Sequence, residues 1–505
     1  MSNIDEVPAV MSAGPAAPPA HHPNPAAHAG RWTALVVLAM AQLMVVLDAT
    51  VVNIALPTAQ RSLGFSNDDR QWVVTGYALV FGSLLLLGGR LSDFFGRKNM
   101  FVVGVIGFAL ASALGGAAQN FPMLLAARAL QGAFGAVLAP AALALLSTTF
   151  TDRAERSKAF GIYGAISGAG GAAGLLLGGV LTEYASWRWC LYVNLVIAVI
   201  ALVGAYLWLH DDAPLARPRL DLPGAFSAVA GLVGLVYGLG NAESHGWGAG
   251  ITIIPIIVGL VLLALFVVIE QRSSHALLPL RVVLDRNRGG AYLTIAVAGI
   301  GMFGVFLFLT YYLSGILGFT PVQTGLAFLP MMAALIPAAT LSGALLVPRV
   351  GPRPLVPAGA LLAAVGLATF TQLGADSSYV TGVLPGLLIA GLGIGFVFAP
   401  VQNAATSGVA DSDAGVASAM INTVQQVGGS IGTALLSSFA ASAATGYAAS
   451  HAQNASTTVL ATLHSYHVVF WWSAGFFVAC AVVAGLLFRS GPLETDPNAD
   501  PVIAH

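Results

Sequence analysis

Fourteen times along this chain, a run of about twenty mostly apolar residues stands between polar breaks, each long enough to cross a bilayer as a helix. The runs fall near residues 33–56, 71–89, 99–119, 122–148, 160–183, 190–209, 223–241, 250–270, 289–313, 323–347, 354–374, 380–405, 414–442 and 467–488. They are continuously apolar rather than alternating, which is the signature of helices and not of barrel strands. Only 8% of residues are charged, against about 25% in an ordinary soluble domain. Water cannot solvate such a surface, so the expected fold is an all-α integral membrane protein.

The same composition removes several function classes. The net charge is -1, and no basic patch carries interleaved aromatics, so nucleic acid is not an expected partner. Cys190 and Cys480 lie in or beside apolar runs, which offers neither a disulfide framework nor a metal site. The two lysines follow Arg97 and Ser157, so a phosphate-binding Gly-Lys pair is absent and ATP is not an expected fuel. No HExxH or GxSxG pattern occurs, and no catalytic residue or cofactor is assigned. A channel would need a filter loop or rings of like charge, and the spans supply neither.

Orientation follows from Arg and Lys, which favour the cytoplasmic side. With the N-terminus inside, sixteen of the 20 basic residues fall in inside segments and three, Arg61, Arg70 and Arg188, fall outside. Both termini are therefore expected in the cytoplasm, with residues 1–30 and 491–505 as tails, the first disordered. Polar, proline-rich or basic breaks at 210–225 and 270–288 divide the spans six, two and six. That gives bundles at 31–210 and 289–490 with two linker helices in 211–288. A weak echo, "GGRLSDFFGRK" (88–98) against "VPRVGPRP" (347–354), marks the halves as repeats, a known transporter plan.

Two charges interrupt the apolar runs. Asp48 sits in "VVLDATVVNIALP" (45–57), and Arg128 in "LLAARALQGAFGA" (124–136). A carboxyl near the bilayer centre must be neutral, paired or facing water. Exchange among those conditions by gaining and losing a proton suits a coupling group; a fixed structural ion pair is the alternative. Arg128 keeps its proton and needs an anion or several carbonyls, so Asp48 is its natural partner. Gln131 and Gly135 share the helix face of Arg128.

These segments resemble a known family. "VVLDATVVNIALP" is similar to the first-helix motif of the fourteen-helix drug:proton antiporters of the major facilitator superfamily. "GGRLSDFFGRK" resembles the superfamily's loop motif between spans two and three, with Gly89, Asp93, Gly96, Arg97 and Lys98 in place. "LLAARALQGAFGA" resembles its span-four motif. Phe94 replaces the arginine usual after Asp93, and Leu175 replaces the proline usual after Gly174 in span five. The resemblance implies a major facilitator fold and electrostatic coupling of Asp48 to Arg128, with the loop motif as a gate.

Further candidates are weaker. Glu183, at the outer end of span five, is either a proton relay or a solvated interface residue. Glycines four apart in span five, among them Gly170, Gly174 and Gly178, suit close helix approach. Gln42, Asn53, Tyr77, Gln131, Phe303, Phe306, Tyr311, Asn403, Asn422 and Gln425 are candidates for a roomy substrate cavity, with plain packing as the rival reading. Pro57 reads as a helix end.

The expected function is proton-coupled efflux by alternating access, exporting lipophilic drugs, cationic ones included, from the cytoplasm or inner leaflet. Export of an endogenous lipid or natural product on the same scaffold is the alternative. Expected partners are small lipophilic substrates, protons and membrane lipid, with the protein a monomer in a bacterial plasma membrane.

Overall fold

The computed structural model describes residues 25–150, 152–209, 221–273, 277–409, 414–451 and 455–492, so most of both expected tails lies outside the described residues. Fourteen long helical segments are formed there. They are α1 Pro25–Leu63, α2 Asn67–Phe95, α3 Arg97–Gly116, α4 Phe121–Thr149, α5 Arg153–Tyr184, α6 Trp189–Trp208, α7 Leu222–His245 and α8 Gly250–Arg272. After a four-residue helix at Leu280–Val283 come α9 Arg286–Ile316, α10 Pro321–Val350, α11 Pro352–Gln372, α12 Tyr379–Thr406, α13 Ala414–Ser450 and α14 Ala455–Leu487. Among the described residues, thirteen helices are long and apolar enough to cross a membrane. The glycine-rich α5 runs 32 residues beside α1 and against the start of α10.

Short polar residues start these helices by accepting backbone N–H groups that the first turn leaves without partners. Ser66 and Asp69 form a capping box on α2, and Thr320 and Gln323 another on α10. Asn120, Asp152, Asp221 and Asp285 cap α4, α5, α7 and α9. Pro57 does not end α1, which continues to Leu63. Within a bundle a proline is tolerated in a helix interior, and Arg61 Nε adds a bond to the Pro57 carbonyl at 3.4 Å.

Helices α1–α6 pack on one another, as do α9–α14. The turns α2–α3 and α10–α11 hold equivalent places in the two groups, and each pivots on a glycine with positive φ, Gly96 at 94° and Gly351 at 76°. A side chain there would carry strain. The sequence echo at 88–98 and 347–354 is thus a repeated joint. The hairpin α7–α8 packs through α7 on both α2 and α13, while α8 turns an apolar face outward.

Helix direction gathers the start of α1, the end of α14, the α2–α3 turn and the α10–α11 turn on one face of the bundle, called here the terminal face. At the opposite face the two groups meet tightly. A side-chain carbon added at Gly179 of α5 would lie 2.6 Å from the Pro321 carbonyl oxygen, and one at Gly325 of α10 would lie 2.4 Å from that of Leu175.

Candidate functional site

A buried polar cluster joins α1, α3, α4 and α6. Asp48 on α1 and Arg128 on α4 are both removed from solvent, at 0% and 1% exposure. Arg128 Nη1 donates to Asp48 Oδ2 at 2.5 Å. The other carboxylate oxygen, Oδ1, accepts from Gln131 Nε2 at 2.9 Å and from Asn194 Nδ2 at 2.8 Å. Ser112 of α3 completes the cluster, its Oγ accepting from Gln131 Nε2 at 2.7 Å and Asn194 Nδ2 at 3.3 Å.

Local sequence explains the placement. Arg128 and Gln131 stand three residues apart and so share a helix face, and Arg128 Nη1 also donates to Gln131 Oε1 at 2.8 Å. Gly132 brings α4 onto α2, since a side-chain carbon there would meet the Tyr77 carbonyl oxygen at 2.5 Å. That approach sets the Tyr77 ring 4.3 Å from the guanidinium carbon and lets Arg128 Nε donate to the Val73 carbonyl at 3.3 Å. The cation thus meets a carboxylate, an amide oxygen, a carbonyl and an aromatic face, the combination a buried guanidinium requires.

Charge balance in the cluster is conditional. The carboxylate cancels Arg128, and charge-assisted bonds of this kind are roughly twice as strong as neutral ones. A neutral Asp48 would leave Arg128 without an anion, its contacts to groups of α2 and α4 unchanged. The contact between α1 and α4 would then lose its ionic part while the contact between α2 and α4 kept its own.

The remaining sequence candidates are dispersed. Gln42 Oε1 accepts from the Tyr163 hydroxyl at 2.8 Å, tying α1 to α5. Asn53 bonds its own helix, Nδ2 to the Ala49 carbonyl at 3.3 Å. Exposed Glu183 reaches across the two groups, its Oε2 accepting the Val322 N–H at 3.0 Å near the start of α10. In the loop motif, Arg97 pairs with Asp93 at 3.5 Å, Gly89 faces Pro140 and Lys98 is half-buried. Gly88, one residue before the motif's first candidate, makes the closer approach, with Ala136 of α4.

In the second group, half-buried Phe306 lies 5.4 Å from the Phe328 ring, and Tyr311 lies under the Arg70 guanidinium at 3.2 Å. Arg70 and Tyr311 border a cavity of about 280 Å³ between α2, α9, α13 and α14, on the face opposite the termini. Asn403 is exposed and donates to the Gly343 carbonyl at 3.2 Å, while Asn422 bonds its own helix at Ser418. Gln425 is half-buried, and the Phe303 side chain lies outside the described residues.

Sequence reasoning missed Ser112 and Asn194. Their signal was slight: each is a lone uncharged polar residue in a long apolar run, "FALASALGG" and "LYVNLVIAV".

The Major Facilitator Superfamily model matches residues 38–433. The chain belongs to that superfamily. It is 50% identical over 462 residues to the puromycin resistance protein of Streptomyces alboniger, covering 91% of this chain and 92% of that one. It is 40% identical over 407 residues to the cephamycin export protein of Amycolatopsis lactamdurans, covering 80% and 84%. The tetracenomycin C resistance and export protein of Streptomyces glaucescens is 33% identical over 418 residues, covering 83% and 77%. Among solved structures, the fold matches a bacterial homologue of the human lysosomal transporter Spinster in an inward-facing conformation. That match has a TM-score of 0.64 at 15% identity and covers 91% and 97% of the two chains. This major facilitator protein is a multi-pass transporter of the cell membrane and not an enzyme.

Proposed function

We propose that this transporter exports lipophilic natural-product antibiotics by proton antiport, with Asp48 and Arg128 as the coupling pair. One observation carries the reading: a fully buried carboxylate whose partner cation is shared with a second helix. Relatives named for puromycin, cephamycin and tetracenomycin C support the cargo class.

The proposed topology is fourteen spans divided six, two and six with cytoplasmic termini, so the terminal face is the inner one. Release then has a mechanical route. Gly174 of α5 sits against Leu47 and Thr50 of α1, and α5 makes the contact with α10 at the outer face. Cargo opens the outer side by parting α5 from α10, and Asp48 takes up a proton there. That proton frees α1 from α4, and α1 brings α5 back onto α10 as cargo leaves. The proton is then lost to the inner face. Loss of the proton restores the pair. Glu183 acts in this scheme as an outer latch rather than a relay, because its carboxylate holds the start of α10.

Inside-out vesicles with an imposed pH gradient test this reading. Wild-type protein is expected to take up puromycin or a lipophilic acridine dye only while the gradient lasts. The Asp48→Asn variant is expected to lose gradient-driven uptake. Unchanged uptake after the gradient is collapsed would refute proton coupling, and uptake of a labelled lipid alone would move the cargo to the lipid class.

A further inference from the structure

Two seams join the six-helix groups, α2 against α13 and α5 against α10, and the molecule treats them differently. The hairpin α7–α8 lies over the first along its length. Near the outer face Trp72 of α2 stands 5.9 Å from Tyr237, and a side-chain carbon at Gly240 would meet Trp72 at 2.6 Å. Midway, Leu79 of α2, Val236 of α7 and Ala434 of α13 form one buried cluster. At the inner end, Arg90 of α2 lies within electrostatic reach of Glu270 of α8. Trp247, in the turn of the hairpin, adds a contact to Phe439 of α13 at 6.1 Å.

Nothing comparable covers the second seam among the described residues. Here α5 and α10 touch at the outer end through Leu175, Gly179, Pro321 and Gly325. Positions 4 and 11 residues apart share a helix face, so Gly171 and Gly164 continue the face of α5 inward from Leu175. Side-chain carbons at either glycine would meet nothing within 4 Å. On α10 the same count from Gly325 leads to Ile336, which is 46% exposed. From mid-span inward α10 instead packs on α12, where Gly395 receives Leu335 and Gly343 of α10 faces Ala399. Pro337 and the π-helical turn Leu341–Leu346 lie at this level, two features that let a helix change course.

We propose that membrane-dissolved lipophilic cargo enters between the parted inner ends of α5 and α10, and that the hairpin denies it the α2/α13 seam. This rests on the export reading above and adds the route to it. The hairpin thereby gives the transporter one lateral doorway in place of two.

Two measurements decide the matter. In inside-out vesicles, Ile336→Trp and Gly164→Trp are each expected to cut gradient-driven uptake of the acridine dye by about tenfold, a modest barrier increase. Puromycin, the more water-soluble of the two probes, should lose far less, and Val261→Trp on the exposed side of α8 should alter neither probe. Equal loss of both probes, or no loss of dye uptake, would overturn the doorway.

The second measurement is independent of transport. A maleimide dissolved in the bilayer should modify Ile336→Cys quickly and Leu79→Cys or Val236→Cys slowly, against native cysteines that are both buried. Labelling of Leu79→Cys as fast as Ile336→Cys would overturn the seal even if the wild-type protein moved neither probe; that transport failure would count against the export reading alone.

Discussion

A charge removed from water survives only with its partner, and Asp48 makes this testable one side chain at a time. Asp48→Asn keeps the shape of the cluster but leaves Arg128 without an anion, a defect that costs about 3–5 kcal/mol at buried pairs. The variant should unfold at lower temperature than wild type as well as lose gradient-driven uptake. Adding Arg128→Gln to Asp48→Asn should recover part of the melting temperature and none of the uptake. Recovery of both would mean that the pair is structural only.

Asn194 supplies a second residue-scale prediction. Its Nδ2 serves Asp48 and Ser112, while its buried Oδ1 has no hydrogen-bond partner. A protonated Asp48 is a donor, and an amide turned by half a revolution would present Oδ1 to receive it. Asn194 thus suits both states of the carboxyl. Asn194→Leu removes a bond to a charged acceptor, worth about 1.5–3 kcal/mol, and should slow gradient-driven uptake without altering membrane insertion. Wild-type rates in that variant would leave Asn194 a packing residue.

Charge made two of the five residues of this cluster legible in the sequence, because Asp48 and Arg128 each break a long apolar run. Gln131 followed from sharing the face of Arg128. Ser112 and Asn194 were not legible for a physical reason. Small polar residues inside these helices commonly satisfy themselves on their own backbone, as Thr294 does with Gly290, Thr310 with Phe306 and Asn53 with Ala49. Residue type alone cannot separate a group turned back on its helix from one that reaches across to a neighbour.

At the scale of elements, the α1–α5 contact is the sharpest dependency. A side-chain carbon at Gly174 would stand 1.9 Å from Thr50 Oγ1, with the Leu47 carbonyl at 3.1 Å. Overpacking commonly costs about 1–3 kcal/mol, and backbone that cannot yield puts Gly174→Leu at or beyond the top of that range. The variant should insert poorly or melt early, whereas Gly164→Ala, with open space before it, should match wild type in a melting assay. Similar losses for both would deny the contact.

Element existence was legible because hydropathy registers where lipid must be met. Element ends were less so, since α14 begins at Ala455 and not near 467, and α13 reaches Ser450. Those extensions are rich in Ala, Ser and Thr, too polar on average to read as a span. Alanine nevertheless propagates a helix well. The motif proline after Gly174 is replaced by Leu175, and α5 runs unbroken from Arg153 to Tyr184.

For the whole molecule, the place of α7 between α2 and α13 was beyond the reach of the sequence. Two spans between two repeats fit a lipid-filled spacer as well as a seal. The interlock that decides it is contributed by single residues from three helices, Leu79, Val236 and Ala434, which are far apart in the chain. Even the close pairing of α7 with α8, where Gly234 and Gly259 let the backbones meet, does not reveal what the pair leans on.

That strap has a consequence for how the transporter flexes. A body tied along one edge and joined on the other by a point contact moves as a clamshell does, with its spine at α2/α13 and its lips at α5/α10. Spin labels spanning the lips should therefore change separation far more on imposing a pH gradient than labels spanning the spine. Equal excursions at both edges would describe a sliding pair of plates. A clamshell also has one opening direction, so in the proposed export cycle cargo would enter from the inner leaflet and depart outward by the same flank of the molecule.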